Sequence, residues 1–500
     1  MNAVGRRMLG EQMGEKGRLR NSDGKRGTLW LKLVVVLLAG IFMSRAFFVQ
    51  VVTGQIQSGQ AQGNSLERKW IEAKRGVIKD REGEVMVRNS KNDKGEVERE
   101  YLLDEAGAHL LGYVGEVNED EMEKFNLRAG ELMGKMGVEK AFDEVLRGVP
   151  GQSLVEVDAG GEIIREVTRK NPIDGRELKL NVSKGLQSRI SQVLSERDEE
   201  EGKTKGAVVV TTVDGELLGL VSWPSFDANL FVKKDDKVKE LLGSEDKPLF
   251  NRAALGIYPP GSVYKLVTAT AGLEEGVIDE NTLIEDTGEI VIGQYRYGNW
   301  YYDQYGKTEG ELDVRGALKR SNDIFFYKTG EKLGVEKMRE WSHKMGLGEK
   351  IDWDLGGQIT GGVPNPIDWE KRTGQRWFLG NTYHMSIGQG DLRTSPLQIN
   401  RMTATAVSGE ICDVRVEGKA GDCRKVGIGE KSRELVVEGM KQTCSEGGTA
   451  FPFFDFEPQA ACKTGTAQQG GEEALPHAWI SVVVPKKGEE EFDLRAYEKG

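Results

Sequence analysis

The 500-residue chain has few of the residues that mark metal-binding and nucleic-acid-binding proteins. It has four histidines, four cysteines and no C-x-x-C pair, so a cysteine-based metal site is not expected. Its 69 basic residues are outnumbered by 80 acidic ones, and no dense lysine- and arginine-rich run occurs outside the N-terminus. A general nucleic-acid binder needs a basic face, so the composition excludes that class.

Long apolar runs are also scarce, and the informative one extends from Leu29 to about Val52. About 20 helical residues cross a bilayer, so residues 29–53 are predicted to form a transmembrane helix. Residues 1–28 carry seven basic and three acidic residues, which predicts a cytoplasmic tail and an extracytoplasmic location after residue 53. A cleaved signal peptide is the alternative, because Ser44-Arg45-Ala46 loosely fits a cleavage site. The apolar run resumes at residues 47–49, which favours the uncleaved anchor.

All four cysteines lie in the last hundred residues. The predicted topology places this region where disulfides can form. Among three connectivities we predict the sequential one, Cys412 with Cys423 and Cys444 with Cys462. Four small buried thiols are the alternative.

The remaining sequence indicates two regions after a polar linker at 53–65. The first, up to residue 200, alternates short strand-like runs with charged turns, which is typical of a β-rich module with little core. Its strand-like runs are 77–78, 84–87, 154–157, 163–167 and 178–182. Helical spacing follows at 183–197, and the charged run 196–205 indicates a boundary.

The second region, 201–500, has strand patterns at both ends and helical patterns between them. Strands are predicted at 206–212 and 216–222, joined across Asp214-Gly215, and again at 460–467 and 477–484. Helices are predicted at 263–275 and 314–333, each followed by glycine. This pattern predicts one α/β domain whose sheet joins the two ends of the segment. The charged tail at 489–500 is predicted to be poorly ordered.

Ser262 and Lys265 form an S-x-x-K sequence in a favourable local context. Residues 258–261, Y-P-P-G, cannot continue a helix from upstream, so a helix can begin at or next to Ser262. Lys265 then lies one turn on, on the same face. A serine hydroxyl needs a neighbouring base to act as a nucleophile, and a lysine whose pKa is lowered by burial can serve. S-x-x-K also occurs at 22–25 and 244–247, so this motif alone does not identify a site.

Two further segments carry polar groups suited to such a site. In Ser321-Asn322-Asp323 a hydroxyl precedes a second polar side chain with aromatics behind it, which suits a hydroxyl relay; a simple helix cap is the alternative. On an edge strand, Lys463-Thr464-Gly465-Thr466 would offer a cation, two hydroxyls and a glycine that allows close approach of a substrate. K-T-G also occurs at 328–330, inside a helical pattern, so the order of all three motifs carries the assignment.

Together, S-x-x-K, S-x-D and K-T-G resemble the signature of penicillin-binding proteins. Further segments are similar to that family: R-G-V-I-K-D-R-E-G at 75–83, G-K-M-G-V-E at 134–139, R-G-V-P-G at 147–151, S-I-G-Q-G at 386–390, T-S-P-L-Q at 394–398 and H-A-W at 477–479. The chain resembles a class B penicillin-binding protein over nearly its whole length beyond the tail. Its S-x-D sequence resembles the elongation-type branch, penicillin-binding protein 2, more than the division-type branch.

The resemblance implies a fold and a domain order. Residues 201–500 would form an α/β (α+β) transpeptidase domain with an antiparallel sheet flanked by helices. Residues 54–200 would form an elongated, β-rich pedestal, or dimerisation-like domain, after the single transmembrane helix. The family fold normally adds a strand and a C-terminal helix after the strand at 477–484, so we expect a C-terminally truncated domain.

The resemblance also implies catalytic roles. Ser262 would attack the penultimate D-alanine carbonyl of a peptidoglycan stem peptide, and Lys265 would take the serine proton. Ser321 would relay protons to or from the leaving and incoming amines, with Asp323 as the other polar residue of its motif. Lys463 would hold the local charge.

Substrate contacts follow from the same resemblance. Thr464 and Thr466 would bind the substrate carboxylate beside Gly465. The backbone N–H groups of Ser262 and Thr466 would form the oxyanion hole. An amine from a neighbouring stem peptide would resolve the acyl-enzyme and give a cross-link.

The implied partners are stem peptides, β-lactams as inhibitors and a membrane glycosyltransferase of the shape-elongation-division class. No cofactor is expected, and no zinc, because residues 286–313 contain no Cys or His. The alternatives are a division-specific transpeptidase, a D,D-carboxypeptidase or β-lactamase-like hydrolase, and a non-catalytic membrane scaffold. No E-D-x-x-F-x-x-H-x-G pattern occurs at 54–200, so the chain is not expected to polymerise glycan strands itself.

Overall fold

The structure is a computed structural model that describes residues 24–52, 66–92, 94–157, 162–202, 204–357, 359–468 and 475–485. The predicted tail up to residue 23, the linker at 53–65 and the charged tail at 489–500 lie outside the described residues. The chain divides into two compact units. Unit 1 comprises Met1–Ile71 and Pro150–Pro172, and unit 2 comprises Glu72–Val149 and Ile173–Gly500.

Short strands are spread along the described residues. They are β1 (Leu66–Ile71), β2 (Ile78–Lys79), β3 (Val85–Lys91), β4 (Val97–Tyr101), β5 (Val114–Glu116), β6 (Leu132–Gly134), β7 (Gly151–Val157), β8 (Ile163–Lys170), β9 (Leu178–Lys179), β10 (Gly206–Thr211), β11 (Leu217–Trp223), β12 (Ile284–Asp286), β13 (Glu289–Ile292), β14 (Tyr295–Gly298), β15 (Gly310–Leu312), β16 (Glu410–Cys412), β17 (Cys423–Lys425), β18 (Ala461–Ala467) and β19 (His477–Val483).

The longer helices lie at the N-terminus and between β9 and β18. The helices are α1 (Gly24–Phe47), α2 (Ala108–Leu111), α3 (Glu119–Phe125), α4 (Gly137–Ala141), α5 (Asp143–Arg147), α6 (Lys184–Glu201), α7 (Asn229–Val232), α8 (Lys237–Gly243), α9 (Lys265–Glu274), α10 (Trp300–Tyr305), α11 (Val314–Arg320), α12 (Asp323–Lys344), α13 (Pro366–Thr373), α14 (Leu379–Ser386), α15 (Pro396–Ser408) and α16 (Glu430–Thr443).

Unit 1 contains an apolar helix and a small sheet. Helix α1 continues as a π-helical turn, Phe48–Val52. Its span Leu29–Val51 has a mean hydropathy of 2.1 and no buried residues, so it is long and apolar enough to cross a membrane. This agrees with the span predicted at 29–53. The sheet has the antiparallel order β1-β7-β8.

Unit 2 begins with a four-stranded sheet of order β4-β3-β2-β9. Strand β2 pairs antiparallel with β3 and parallel with β9. The strand-like runs predicted at 77–78, 84–87, 154–157, 163–167 and 178–182 all overlap observed strands. Helix α6 continues to Glu201, through the first part of the charged run at 196–205, and the domain boundary at residue 200 stays a prediction.

The core of unit 2 that supports the candidate site is helical. Helix α9 is buried from Lys265 to Gly272, as expected of a helix that is surrounded by other elements. It packs against α12, α15 and α16. Val267, Phe326, Met402 and Val436 belong to this hydrophobic cluster. The first turn of α9 is therefore fixed within a packed interior.

The sheet predicted to join both ends of 201–500 is present as two separate antiparallel pairs, β10 with β11 and β18 with β19. Among the described strands no hydrogen-bonded ladder connects the two pairs. Helix α15 packs against both: Thr211 Oγ1 donates to Asn400 Oδ1 over 2.8 Å, and Thr403 Oγ1 donates to Ser481 Oγ over 3.0 Å. A buried helix thus connects the two ends in the described structure.

The prediction of one helix over 314–333 is wrong, because the chain breaks between α11 and α12. Ser321 adopts a left-handed conformation with φ of +53°, which ends α11. Asn322 then caps α12 by accepting a hydrogen bond from the Phe325 N–H. Apolar residues continue at helical spacing across the break, so periodicity does not reveal it. The predicted end at Gly334 coincides with a second interruption, at φ of +72°.

The structure joins Cys412 to Cys423 and Cys444 to Cys462. The first pair lies at directly opposite positions of the β16–β17 hairpin. The second connects the residue after α16 to β18, one residue before Lys463. The cysteine beside the third motif is thereby tied to the helical core.

Candidate active site

Ser262 lies in a 3₁₀ turn, Gly261–Tyr264, that leads directly into α9. Gly261 has a φ of +57°, which favours glycine, and its N–H donates to Gly388 O over 2.9 Å. Trp479 Nε1 donates to Pro259 O, two residues before the turn, over 3.0 Å. Ser262 is half-buried while the other three residues of the turn are buried. Its side chain is therefore the accessible one of this turn.

Lys265 is the first residue of α9 and is fully buried. Its Nζ donates to Ser321 O over 2.7 Å, to Ser321 Oγ over 3.3 Å and to Asp323 Oδ1 over 2.7 Å. Burial lowers the pKa of Lys265, and the Asp323 carboxylate offsets part of that effect. Within the described part of the chain, no hydrogen bond joins Lys265 Nζ to Ser262 Oγ.

Ser321 occupies the break between α11 and α12, and it is 5% exposed. Its Oγ accepts hydrogen bonds from Lys265 Nζ, over 3.3 Å, and from Lys463 Nζ, over 2.9 Å. The left-handed backbone ends α11 at this residue. The Ser321 side chain lies between α9, which carries Lys265, and β18, which carries Lys463. Both lysines thus converge on one hydroxyl.

Asp323 is the first residue of α12 and is also buried. Its Oδ1 accepts from Lys265 Nζ, and its Oδ2 accepts from the Trp300 N–H over 3.0 Å. The middle motif therefore places its hydroxyl and its carboxylate on the same ammonium group. In this break the Asn322 side chain caps α12, so the Ser321 hydroxyl is not used as the cap of that helix.

Lys463 lies in β18 and is fully buried. Besides Ser321 Oγ, its Nζ donates to Thr464 O over 2.9 Å. Burial lowers the pKa of Lys463 well below its usual range, and the nearby Lys265 charge lowers it further. Two ammonium groups sharing one acceptor repel each other, so this arrangement favours the loss of a proton from the pair.

The remaining residues of the third motif lie beside the Ser262 turn. A Cβ placed on Gly465 would stand 3.2 Å from Ser262 N and 3.0 Å from Val263 N, so glycine is needed for this close approach. Thr464 is half-buried and its Oγ1 lies 2.6 Å from Thr449 Oγ1. Thr466 is exposed. The backbone of the Ser262 turn and the backbone of β18, which carry the two predicted oxyanion-hole N–H groups, thus lie next to each other. The oxyanion-hole role of these N–H groups stays a prediction.

The S-I-G-Q-G and T-S-P-L-Q segments support the same turn. Gln389 Nε2 donates to Thr466 O over 3.2 Å, while Gly388 O accepts from the Gly261 N–H of the turn. Tyr258 and Thr394 exchange two backbone hydrogen bonds of 2.9 Å. These segments therefore hold the Ser262 turn and the β18 backbone at a fixed separation.

Sequence reasoning missed the residues behind the middle motif. Asn299 accepts a hydrogen bond from the Asp323 N–H and donates one to Asp286. Glu309 pairs with Arg320 and accepts from Asn322 Nδ2 over 3.2 Å. These contacts span 11 to 24 positions and follow no local period. The one available signal is an asparagine directly before the aromatic helix α10, which is typical of a helix cap.

The geometry supports nucleophilic chemistry. It unites an accessible serine, a buried lysine one turn on, and a second hydroxyl held between two cations. Such groups can deprotonate a nucleophile and move protons through a site shielded from water. In the described residues no cluster of three or more His, Cys, Asp or Glu side chains is placed to hold a metal ion.

Family models match two parts of the chain. Residues 205–490 match the penicillin binding protein transpeptidase domain, and residues 93–180 match the penicillin-binding protein dimerisation domain. The first match covers more than half of the chain. It contains all three motifs of the candidate site.

Curated relatives and solved structures agree with these matches. The chain is 38% identical over 307 residues to peptidoglycan D,D-transpeptidase MrdA of Acinetobacter baumannii, covering 59% of this chain and 44% of that protein. It is 32% identical over 408 residues to MrdA of Escherichia coli strain K12, covering 76% and 63%. The chain thus spans about half to two thirds of the length of these relatives.

A structure of penicillin-binding protein PBP2 in complex with MreC from Helicobacter pylori is similar, with a TM-score of 0.72 and 25% identity. The similarity covers 84% of this chain and 92% of that one. The expected transpeptidase fold with an N-terminal pedestal is thereby confirmed. On the family match over residues 205–490, the chain belongs to the penicillin-binding protein transpeptidase family, with penicillin-binding protein 2 among its similar structures.

Proposed function

We propose that this chain is a serine-type D,D-transpeptidase that cross-links peptidoglycan stem peptides through an acyl-enzyme at Ser262. The observation that carries the proposal is the convergence of three distant motifs on one hydroxyl. Ser321 Oγ accepts from Lys265 Nζ and from Lys463 Nζ, and Gly465 lies against the Ser262 backbone. The named relatives are D,D-transpeptidases, which supports the same reaction class.

In the proposed acylation, Ser262 Oγ attacks the carbonyl of the penultimate D-alanine. Lys265 Nζ, in its neutral form, takes the serine proton, and burial favours that form. Lys265 uses its three donors on Ser321 and Asp323 when it is charged, so it acts as a base after losing one of these protons. The proton then passes to the leaving D-alanine amine through Ser321.

The substrate contacts belong to the third motif. Thr464 and Thr466 bind the terminal carboxylate, and the Ser262 and Thr466 N–H groups stabilise the tetrahedral oxyanion. An amine from a second stem peptide then attacks the acyl-enzyme carbonyl, and Ser321 and Lys265 return a proton to Ser262. Lys463 supplies the positive charge next to the Ser321 hydroxyl, which relays the protons. No cofactor enters these steps.

The proposed setting is the elongating cell wall, with a membrane glycosyltransferase as partner. The similar PBP2 structure is itself a complex with MreC, which supports assembly of this chain with a shape-related partner protein. The chain would be anchored by α1 with its N-terminus in the cytoplasm.

A fluorescent penicillin tests the nucleophile, because β-lactams acylate the same serine. The parental chain is expected to be labelled covalently, and Ser262→Ala is expected to lose the label. Ser244→Ala is the matched control: it changes the serine of the S-x-x-K copy at 244–247 and should retain full labelling. Label on Ser262→Ala, or none on the parental chain, would contradict the proposal.

The hydrolase alternative makes a different product. We expect the acyl-enzyme formed from a stem-peptide mimic to pass to an added D-amino acid in preference to water. Mass spectrometry of the products distinguishes the two acceptors, and hydrolysis alone would favour a carboxypeptidase.

A further inference from the structure

Two helix starts near the site cap each other. Asn299 precedes α10 as its N-cap, yet its side chain makes no hydrogen bond to its own helix. Its Oδ1 instead accepts from the Asp323 N–H, over 3.1 Å, at the start of α12. In return, Asp323 Oδ2 accepts from the Trp300 N–H at the start of α10. Each helix start thus supplies the acceptor that the other one needs.

The other end of the Asn299 amide is also fixed. Its Nδ2 donates to Asp286 Oδ2 over 2.9 Å, and the Asn299 side chain is fully buried. Asp286 is itself held in place, because its Oδ2 also accepts from the Glu309 N–H and its Oδ1 accepts from the Gly288 N–H. Only one orientation of the amide satisfies both contacts. The position of Asn299 is therefore determined by its hydrogen bonds as well as by packing.

This arrangement acts on Lys265 through Asp323. The two Asp323 oxygens have different partners, with Oδ1 on Lys265 Nζ and Oδ2 on the Trp300 N–H. If α10 and α12 lose the shared cap, the Asp323 carboxylate is free to rotate away from Lys265. A displacement of a catalytic group by about 1 Å can cost about 10²-fold in rate.

We propose that Asn299, held by Asp286, is a positioning residue that fixes Asp323 against Lys265 in the acylation step. The inference rests on the proposed function, because its readout is acylation of Ser262. Asn299 makes no hydrogen bond to Ser262 or Lys265 in the described structure, so its effect is indirect. The loop at 286–309 thereby stabilises the position of Asp323, the third residue of the middle motif.

The test compares acylation of the full-length, detergent-solubilised chain by a fluorescent penicillin between pH 6 and pH 10. Asn299→Ala removes both contacts, and Asp286→Asn replaces an acceptor by a donor with little change in size. Both are expected to slow acylation about 10- to 100-fold per folded molecule. The control is Thr329→Val, in which a fully buried hydroxyl of the same helix α12 is lost. It should acylate at the parental rate.

The pH profile separates positioning from plain stability. The Asp323 charge raises the pKa of Lys265, so moving it away lowers that pKa. The acidic limb of the profile, where Lys265 loses its proton, should then move to lower pH in both variants. Slower acylation with an unmoved limb, parental rates, or failure of both variants to fold would each overturn the inference. A parental chain that takes no label would contradict the proposed function and this inference with it, whereas a labelled parent with parental-like variants contradicts the inference alone.

Discussion

At the scale of single residues, the site depends on how two buried lysines share one hydroxyl. Ser321 Oγ accepts from both, and Asp323 forms an ion pair with Lys265. Lys463 has no carboxylate within hydrogen-bonding distance in the described structure, and burial lowers the pKa of both lysines. With both nitrogens donating to Ser321 Oγ, the hydroxyl hydrogen is left to point elsewhere, as a proton relay requires.

The pKa of Lys265 makes a prediction about pH. Because burial favours the neutral amine, this pKa lies below the usual lysine value, and the acylation rate should rise with pH through it. Lys265→Arg keeps a cation beside Asp323 but cannot give up its proton. We expect it to acylate about 10²- to 10⁴-fold more slowly at every pH from 6 to 10. Time courses with fluorescent penicillin measure this.

The control for that measurement is Lys247→Arg, which changes the lysine of the S-x-x-K copy at 244–247. It should follow the parental profile. Lys265→Arg acylating at the parental rate would remove Lys265 from the mechanism as the base.

At the scale of elements, the disulfide between Cys444 and Cys462 ties α16 to β18. It spans 18 positions and stands one residue before Lys463. Replacing both cysteines by alanine should lower the free energy of unfolding by about 3 kcal/mol, through the entropy of the unfolded chain. It should also slow acylation, because β18 carries Lys463 and the glycine that approaches Ser262. Thermal unfolding and penicillin labelling measure the two effects.

The second disulfide provides the comparison. Cys412→Ala with Cys423→Ala opens a loop of 11 positions in the β16–β17 hairpin, which carries none of the three motifs. It should lower stability and leave the acylation rate per folded molecule at the parental value. An equal loss of rate in both double variants would show that the Cys444–Cys462 bond has no particular role in holding β18.

At the scale of the whole molecule, sequence reasoning succeeded where chemistry is local. Ser262 and Lys265 are one turn apart, and Lys463 to Thr466 are consecutive on one strand, so short motifs locate them. It failed where a helix breaks without a glycine or proline, as at Ser321. It also failed for Asn299 and Asp286, whose contacts bridge loops and depend on the tertiary fold. The apolar helix was predicted from its continuous apolar run, and the five strand-like runs predicted for the pedestal overlap β2, β3, β7, β8 and β9, whereas β1, β4, β5 and β6 were missed.

The topology of the chain is the remaining large-scale prediction. Residues 1–28 carry seven basic against three acidic residues, and α1 offers a span of 23 residues. The excess of basic residues should hold the N-terminus in the cytoplasm and place the candidate site outside. We expect an N-terminal epitope tag to remain on the full-length chain in membranes, since α1 is predicted to be an uncleaved anchor.

Protease treatment of spheroplasts checks this orientation. In intact spheroplasts, trypsin should digest the residues after the span and leave the tag on a small membrane-bound fragment; permeabilised spheroplasts, as the control, should lose the tag as well. Loss of the tag from intact spheroplasts would indicate the opposite orientation. A mature chain without the tag would indicate cleavage near residue 46. Protection of the tag, by contrast, places the Ser262 turn on the side of the membrane where stem peptides and β-lactams reach it and where Cys444 and Cys462 can remain oxidised.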